Sequence, residues 1–137
     1  MTTQTTRYGL GATVDLPYDV ALQRTRDALA KEGFGVLTEI DVKATLKKKL
    51  DVDVSPYVIL GACNPSLAHR ALAAERDIGL LLPCNVIVYA AEHPDRSVVA
   101  VMDPLQALAL TGNEAILPIA REARTRLERV LQAVERT

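Results

Sequence analysis

The chain has 137 residues, 49% hydrophobic and 24% charged, which suits one globular domain with an aliphatic core. Lys plus Arg number 16 against 17 Asp plus Glu, so the net charge is −1 and the basic excess that neutralises nucleic-acid phosphates is missing. Two cysteines are too few for a disulfide scaffold, no apolar run approaches the ~18–20 residues of a membrane span, and no signal peptide is visible, so the composition predicts a cytoplasmic protein with reduced thiols and no membrane association.

Residues 1–137 read as a single domain, with residues 1–6, polar and Thr-rich, as a frayed tail. Tyr8 to Val14 reads as a first strand, and Gly9 and Gly11 weaken it, which suggests an edge position or a bulge. Pro17 opens a helix whose Val20, Ala21, Arg24, Ala28 and Leu29 recur at helical spacing, and Gly33 ends it as a left-handed residue. Phe34 to Ile40 is a second strand. Val42, Leu46 and Leu50 then fall four apart, predicting a short helix capped by Asp41. Its other face carries Lys43, Lys47, Lys48 and Lys49, the basic cluster of the chain. It reads first as a solvated face near a helix C-terminus, with an anion-binding patch at Lys43, Lys47 and Lys48 as the sharper alternative.

Tyr57 to Ala62 is an apolar third strand. Asn64 followed by Pro65 starts the next helix, because the Asn side chain satisfies an orphan N–H and Pro has none to satisfy. Ile78 to Leu82 forms an apolar connection that needs a cover. Asn85 to Ala91 and Ser97 to Met102 are strands four and five, made antiparallel by the short His93–Arg96 turn. After Pro104 a helical turn runs to Leu108. A long closing helix then sets Ile116, Ile119, Ala120, Ala123, Leu127, Val130, Leu131 and Val134 on one face. The pattern predicts an α+β domain: a single, mainly antiparallel sheet, helices on one face and short helical insertions.

If strands three to five alternate in direction, Cys63, Cys84 and Asp103 meet at one edge of the sheet, with Asn64, Asn85 and His69 beside them. Three chemistries compete there. Cys can act as a small buried hydrophobe while Asn and Asp cap helices, which makes the chain a structural or interaction protein with inert core cysteines. Cys63, Cys84 and His69 or Asp103 also supply ligand types that zinc or copper accept, although no C-x-x-C is present. Thirdly, the edge can hold a small ligand, oriented by thiols and amides. A thiol-dependent enzyme using Cys84 or Cys63 is a further alternative, with His69 and Asp103 completing a nucleophile set. No recognised catalytic fingerprint accompanies it.

Glu32–Asp41, Tyr57–Pro65, Leu80–Asn85 and Met102–Pro104, in this order and spacing, resemble the domain-of-unknown-function family 302. The resemblance runs from about Gly9 to Val134. It implies a TBP-like β-α-β(4)-α fold, a small cytoplasmic prokaryotic protein and a homodimer, and it implies no activity. The residues point to a dimer as well. Strands three and four have no polar alternate positions, so the sheet face away from the helices is expected to be covered by a second copy.

Overall fold

The computed structural model describes residues 3–135. Six strands, β1 (Thr3–Thr6), β2 (Gly9–Val14), β3 (Gly35–Asp41), β4 (Tyr57–Cys63), β5 (Cys84–Ala90) and β6 (Ser97–Met102), form one antiparallel sheet in the order β1-β2-β6-β5-β4-β3. Two helices, α1 (Tyr18–Lys31) and the closing α5 (Leu117–Glu135), pack on one face of the sheet. Shorter helices fill the connections: α2 (Val42–Leu50), α3 (Pro65–Ala74) and α4 (Pro104–Leu108). The fold is α+β.

Alternation along the strands decides what is buried. Val58, Leu60 and Ala62 of β4, Val86 and Val88 of β5, and Val99 and Val101 of β6 point under the helices and are buried. They meet Leu29 of α1 and Leu127, Val130 and Leu131 of α5, all sealed from solvent. Each of these leucines is stabilised by about 1.5–3 kcal/mol relative to an exposed one. A second cluster, built on Leu67, Ile78, Leu108 and Ile119, joins α3 and α4 to the first half of α5.

Local signals act as their chemistry predicts. Asp41 Oδ1 accepts from Ala44 N at 2.9 Å at the start of α2, and Asn64 Oδ1 accepts from Leu67 N at 3.2 Å at the start of α3. Gly33 has a φ of +83°, the left-handed conformation expected where α1 ends. Arg126 and Arg129 of α5 reach back to Glu32 beside it, on the carbonyl and the carboxylate respectively, and lock that turn to the closing helix.

Several expectations need correction. Residues 3–6 are not a frayed tail but β1, which pairs with β2 (the first two residues lie outside the described ones). Consequently β2 is not an edge: it sits between β1 and β6, and its glycines leave gaps in one face rather than marking a border. The irregularity in that hairpin falls in β1, between Gln4 and Thr6. No residue of α2 is buried, so its Val42–Leu46–Leu50 stripe covers little, and Leu50 is exposed. The apolar connection before β5 is a 3₁₀ turn that buries Ile78 but leaves Leu80 in solvent.

Candidate functional site

The antiparallel order does bring the ends of β4, β5 and β6 to one edge. Ala62 pairs directly with Cys84, so Cys63 lies one step beyond it. The pleat then divides what the register gathers. Cys84 shares the helix-covered face with Val86 and Val88, whereas Cys63 is out of phase with it, in step with Tyr57, Ile59 and Gly61.

Each predicted edge residue has a place of its own. Cys84 is buried, and desolvation, with a smaller contribution from Cys63, pushes its thiol up to about 11. Such a thiol stays protonated at neutral pH, the opposite of what an activated nucleophile needs. Cys63 is half-buried, and both cysteines are free. Asn64 caps α3 from a buried position and also donates to the Glu32 carbonyl at 3.5 Å. Asp103 is buried with its Oδ1 accepting from Leu105 N at 3.0 Å, which caps α4, and with Arg124 Nε 3.8 Å away. His69 is exposed on α3, whose buried side is Leu67 and Ala71, so it stands outside this group. Asn85 points to the opposite face of the sheet and is exposed.

The set Cys63, Cys84 and His69 is therefore not assembled. Among the described residues no group of three His, Cys, Asp or Glu side chains comes together as metal ligands. A nucleophile set of Cys84, His69 and Asp103 fails on the same geometry. The small cavity beside the cysteines, walled by Phe34, Leu67, Leu82 and Ala123, measures about 30 Å³. That is room for about two waters. In the basic cluster, Lys47 is held by Asp51 at 2.8 Å and Asp53 at 3.4 Å, while Lys43, Lys48 and Lys49 are exposed. The two aspartates offset part of the charge an anion would meet.

The larger opening lies on the face of the sheet away from α1 and α5. Register aligns its side chains in rows. Ile40, Ile59, Ile87, Ala100 and Gly11 form one row across β3, β4, β5, β6 and β2. Tyr57, Tyr89, Val98 and Thr13 form the next. Opposite Ala100 and Met102, β2 supplies only Gly11 and Gly9, so the relief falls away there. The result is a groove of about 540 Å³, with Ile87, Val98, Ala100 and Met102 in its lining. Tyr8, Tyr57 and Tyr89 contribute three phenols, and Thr6 and Asn85 add polar groups. Tyr57 and Tyr89 are stacked, with ring centroids 5.2 Å apart and planes 5° from parallel. The Tyr57 phenol is raised, by desolvation first and then by the neighbouring Tyr89 and Tyr8.

The family model "Domain of unknown function DUF302" matches residues 10–134. The chain belongs to the DUF302 family. It is similar to the crystal structure of an uncharacterized conserved DUF302 protein from Bacillus stearothermophilus, with a TM-score of 0.84, 28% identity, and coverage of 92% of this chain and 97% of that one. No curated protein matches. The family match thus runs from within β2 to the last turn of α5 and takes in the edge and most of the groove, while Thr6, Tyr8 and Gly9 of the groove precede it.

Of the predicted site, only Asn85 lines this groove. The three tyrosines were not singled out from the sequence. The available signal was the absence of polar alternate positions in Tyr57–Ala62 and Val86–Ala91, which marks a face that water should not own. Tyr8 gave no such signal, because its place at the groove depends on β2 pairing with β6.

Proposed function

We propose that this DUF302 chain is a small-molecule-binding module whose ligand lies in the groove on the open face of the sheet. The observation that carries this is the groove itself: about 540 Å³, largely apolar, with a few converging polar groups. Ligand sites typically measure about 300–1,000 Å³ and share that make-up. The cavity at the cysteine edge is smaller by more than an order of magnitude. This reading places no reaction in the groove, since no charged or strongly nucleophilic side chain lines it among the described residues. A thermal-shift screen of a fragment library tests it. Fragments that raise the Tm of the wild type should lose their effect in Ala100→Leu, which fills the floor. Fragments equally effective in both proteins would place the site elsewhere.

A homodimer through the same face is the companion reading. Tyr57, Ile59, Ile87 and Tyr89 are only half-buried in one chain, and Ile40 at the end of their row is exposed. A second copy resting on these taller side chains would remove them from water and leave the glycine-bordered recess as an enclosed chamber. Sedimentation equilibrium at micromolar concentration checks this, and a monomer there contradicts it. No helix among the described residues is long and apolar enough to cross a membrane. A reduced, cytoplasmic setting fits two free thiols.

A further inference from the structure

Charge, shape and length in the groove narrow what it can hold, taking the groove as the ligand site proposed above. Among the described residues its lining has no Asp, Glu, Lys, Arg or His. An ionic ligand would shed water without gaining a counter-charge, which is strongly unfavourable away from solvent. A quaternary cation is recognised by rings set around it. Here two of the three tyrosine rings lie parallel and against each other, so they offer a flat surface rather than a cage. Register puts Val98 on the far side of Tyr89 from Tyr57. A flat molecule above Val98 and Ala100 can therefore continue the stack on the free face of Tyr89.

The length follows from β5. Asn85, Ile87 and Tyr89 alternate onto the open face. Four residues at about 3.3 Å each separate the Asn85 amide from the Tyr89 ring by about 13 Å, with apolar Ile87 between. After about 3 Å for a hydrogen bond at each end, about 7 Å remains, the length of two or three fused rings. Asn85 offers both a donor and an acceptor at one end, and the phenols of Tyr57 and Tyr89 do the same at the other.

We infer that the groove binds a neutral, flat aromatic molecule of two to three rings that carries a hydrogen-bonding oxygen and stacks on the Tyr57–Tyr89 pair.

Equilibrium dialysis at pH 7 with three probes of one shape and different charge tests this: 2-naphthol, 2-naphthoate and 2-naphthylmethylammonium. The expected result is one 2-naphthol site per chain, at least tenfold tighter than either ion. Ala100→Leu should weaken it at least tenfold, Tyr89→Phe should keep it and Tyr89→Ala should lose it. Val98→Phe is a second blocking variant if Ala100→Leu does not fold, and cooperative melting certifies whichever is used. Should either ion bind as tightly as 2-naphthol while the blocking variants still abolish binding, the ligand class is wrong and the groove stands. Binding of 2-naphthol that ignores the blocking variants overturns the groove as well. No 2-naphthol binding at millimolar concentration, with library fragments still bound in the groove, overturns the class alone.

Discussion

Tyr57 and Tyr89 occupy directly paired positions on β4 and β5, and their rings lie 5.2 Å apart and 5° from parallel. The pair stands on the face that the helices do not cover, where cross-strand aromatic contacts contribute about 0.5–1.5 kcal/mol beyond area burial. Replacing Tyr89 by Leu should lower stability by about 1 kcal/mol in a denaturant titration. Tyr89→Phe should keep most of it. The same Phe variant removes one of the neighbours that raise the Tyr57 phenol, so Tyr57 should titrate at lower pH than in the wild type. Ultraviolet difference titration of the two proteins reads this, and an unmoved Tyr57 would contradict the contact.

Cys84 makes a pH prediction. Its thiol is pushed from 9.0 in the unfolded reference up to about 11 in the fold. A raised folded value favours the protonated thiol, so its contribution is fully present below about pH 9 and is lost as pH rises through about 11. At about 1.4 kcal/mol per unit, the wild type should lose on the order of 2–3 kcal/mol across this window relative to Cys84→Ala. Comparing the two proteins cancels every other pH-dependent contribution over this range. At pH 8 a thiol reagent should modify the half-buried Cys63 well before Cys84. Parallel pH profiles for wild type and variant would show that Cys84 is not buried as described.

Gly61 tests the packing of the open face at its other end. A Cβ built there would lie 2.1 Å from Thr38 Oγ1 and 2.9 Å from Pro83 Cγ, both closer than side chains tolerate. Gly61→Ala should therefore destabilise by about 1–3 kcal/mol. Thr38→Ala in the same chain removes the nearer obstacle and should restore part of the loss, leaving the Pro83 contact. A double-mutant cycle measures this coupling. Additive effects would mean that Thr38 does not sit over Gly61.

The elements were legible where local chemistry decides them. Asp41, Asn64 and Gly33 set helix ends through one hydrogen bond or one left-handed residue, and each acts as read. The convergence of Cys63, Cys84 and Asp103 was also legible, because it needs only alternating strand direction. What separates them was not. Whether Cys84 and Cys63 share a face turns on a register step of a single residue, and one step inverts the face of every side chain. His69 was misplaced for a similar reason. Its exposure depends on which side of α3 meets Leu108 and Ile119, a tertiary choice that a ten-residue helix does not reveal. The groove needed still more: β1 had to be a strand for β2 to be internal, and only then do Gly9 and Gly11 become its recess.

The central claim is that binding takes place on the open face of the sheet rather than at the cysteine edge. Methyl-resolved NMR during titration with 2-naphthol, or with a fragment from the thermal-shift screen, tests it most directly, because each site carries its own methyl groups. The account predicts that shifts concentrate at Ile87, Val98, Ala100 and Met102, while Leu67, Ala71 and Ala123 around the small cavity stay still. Shifts centred on Leu67 and Ala123 with the open face unmoved would contradict it.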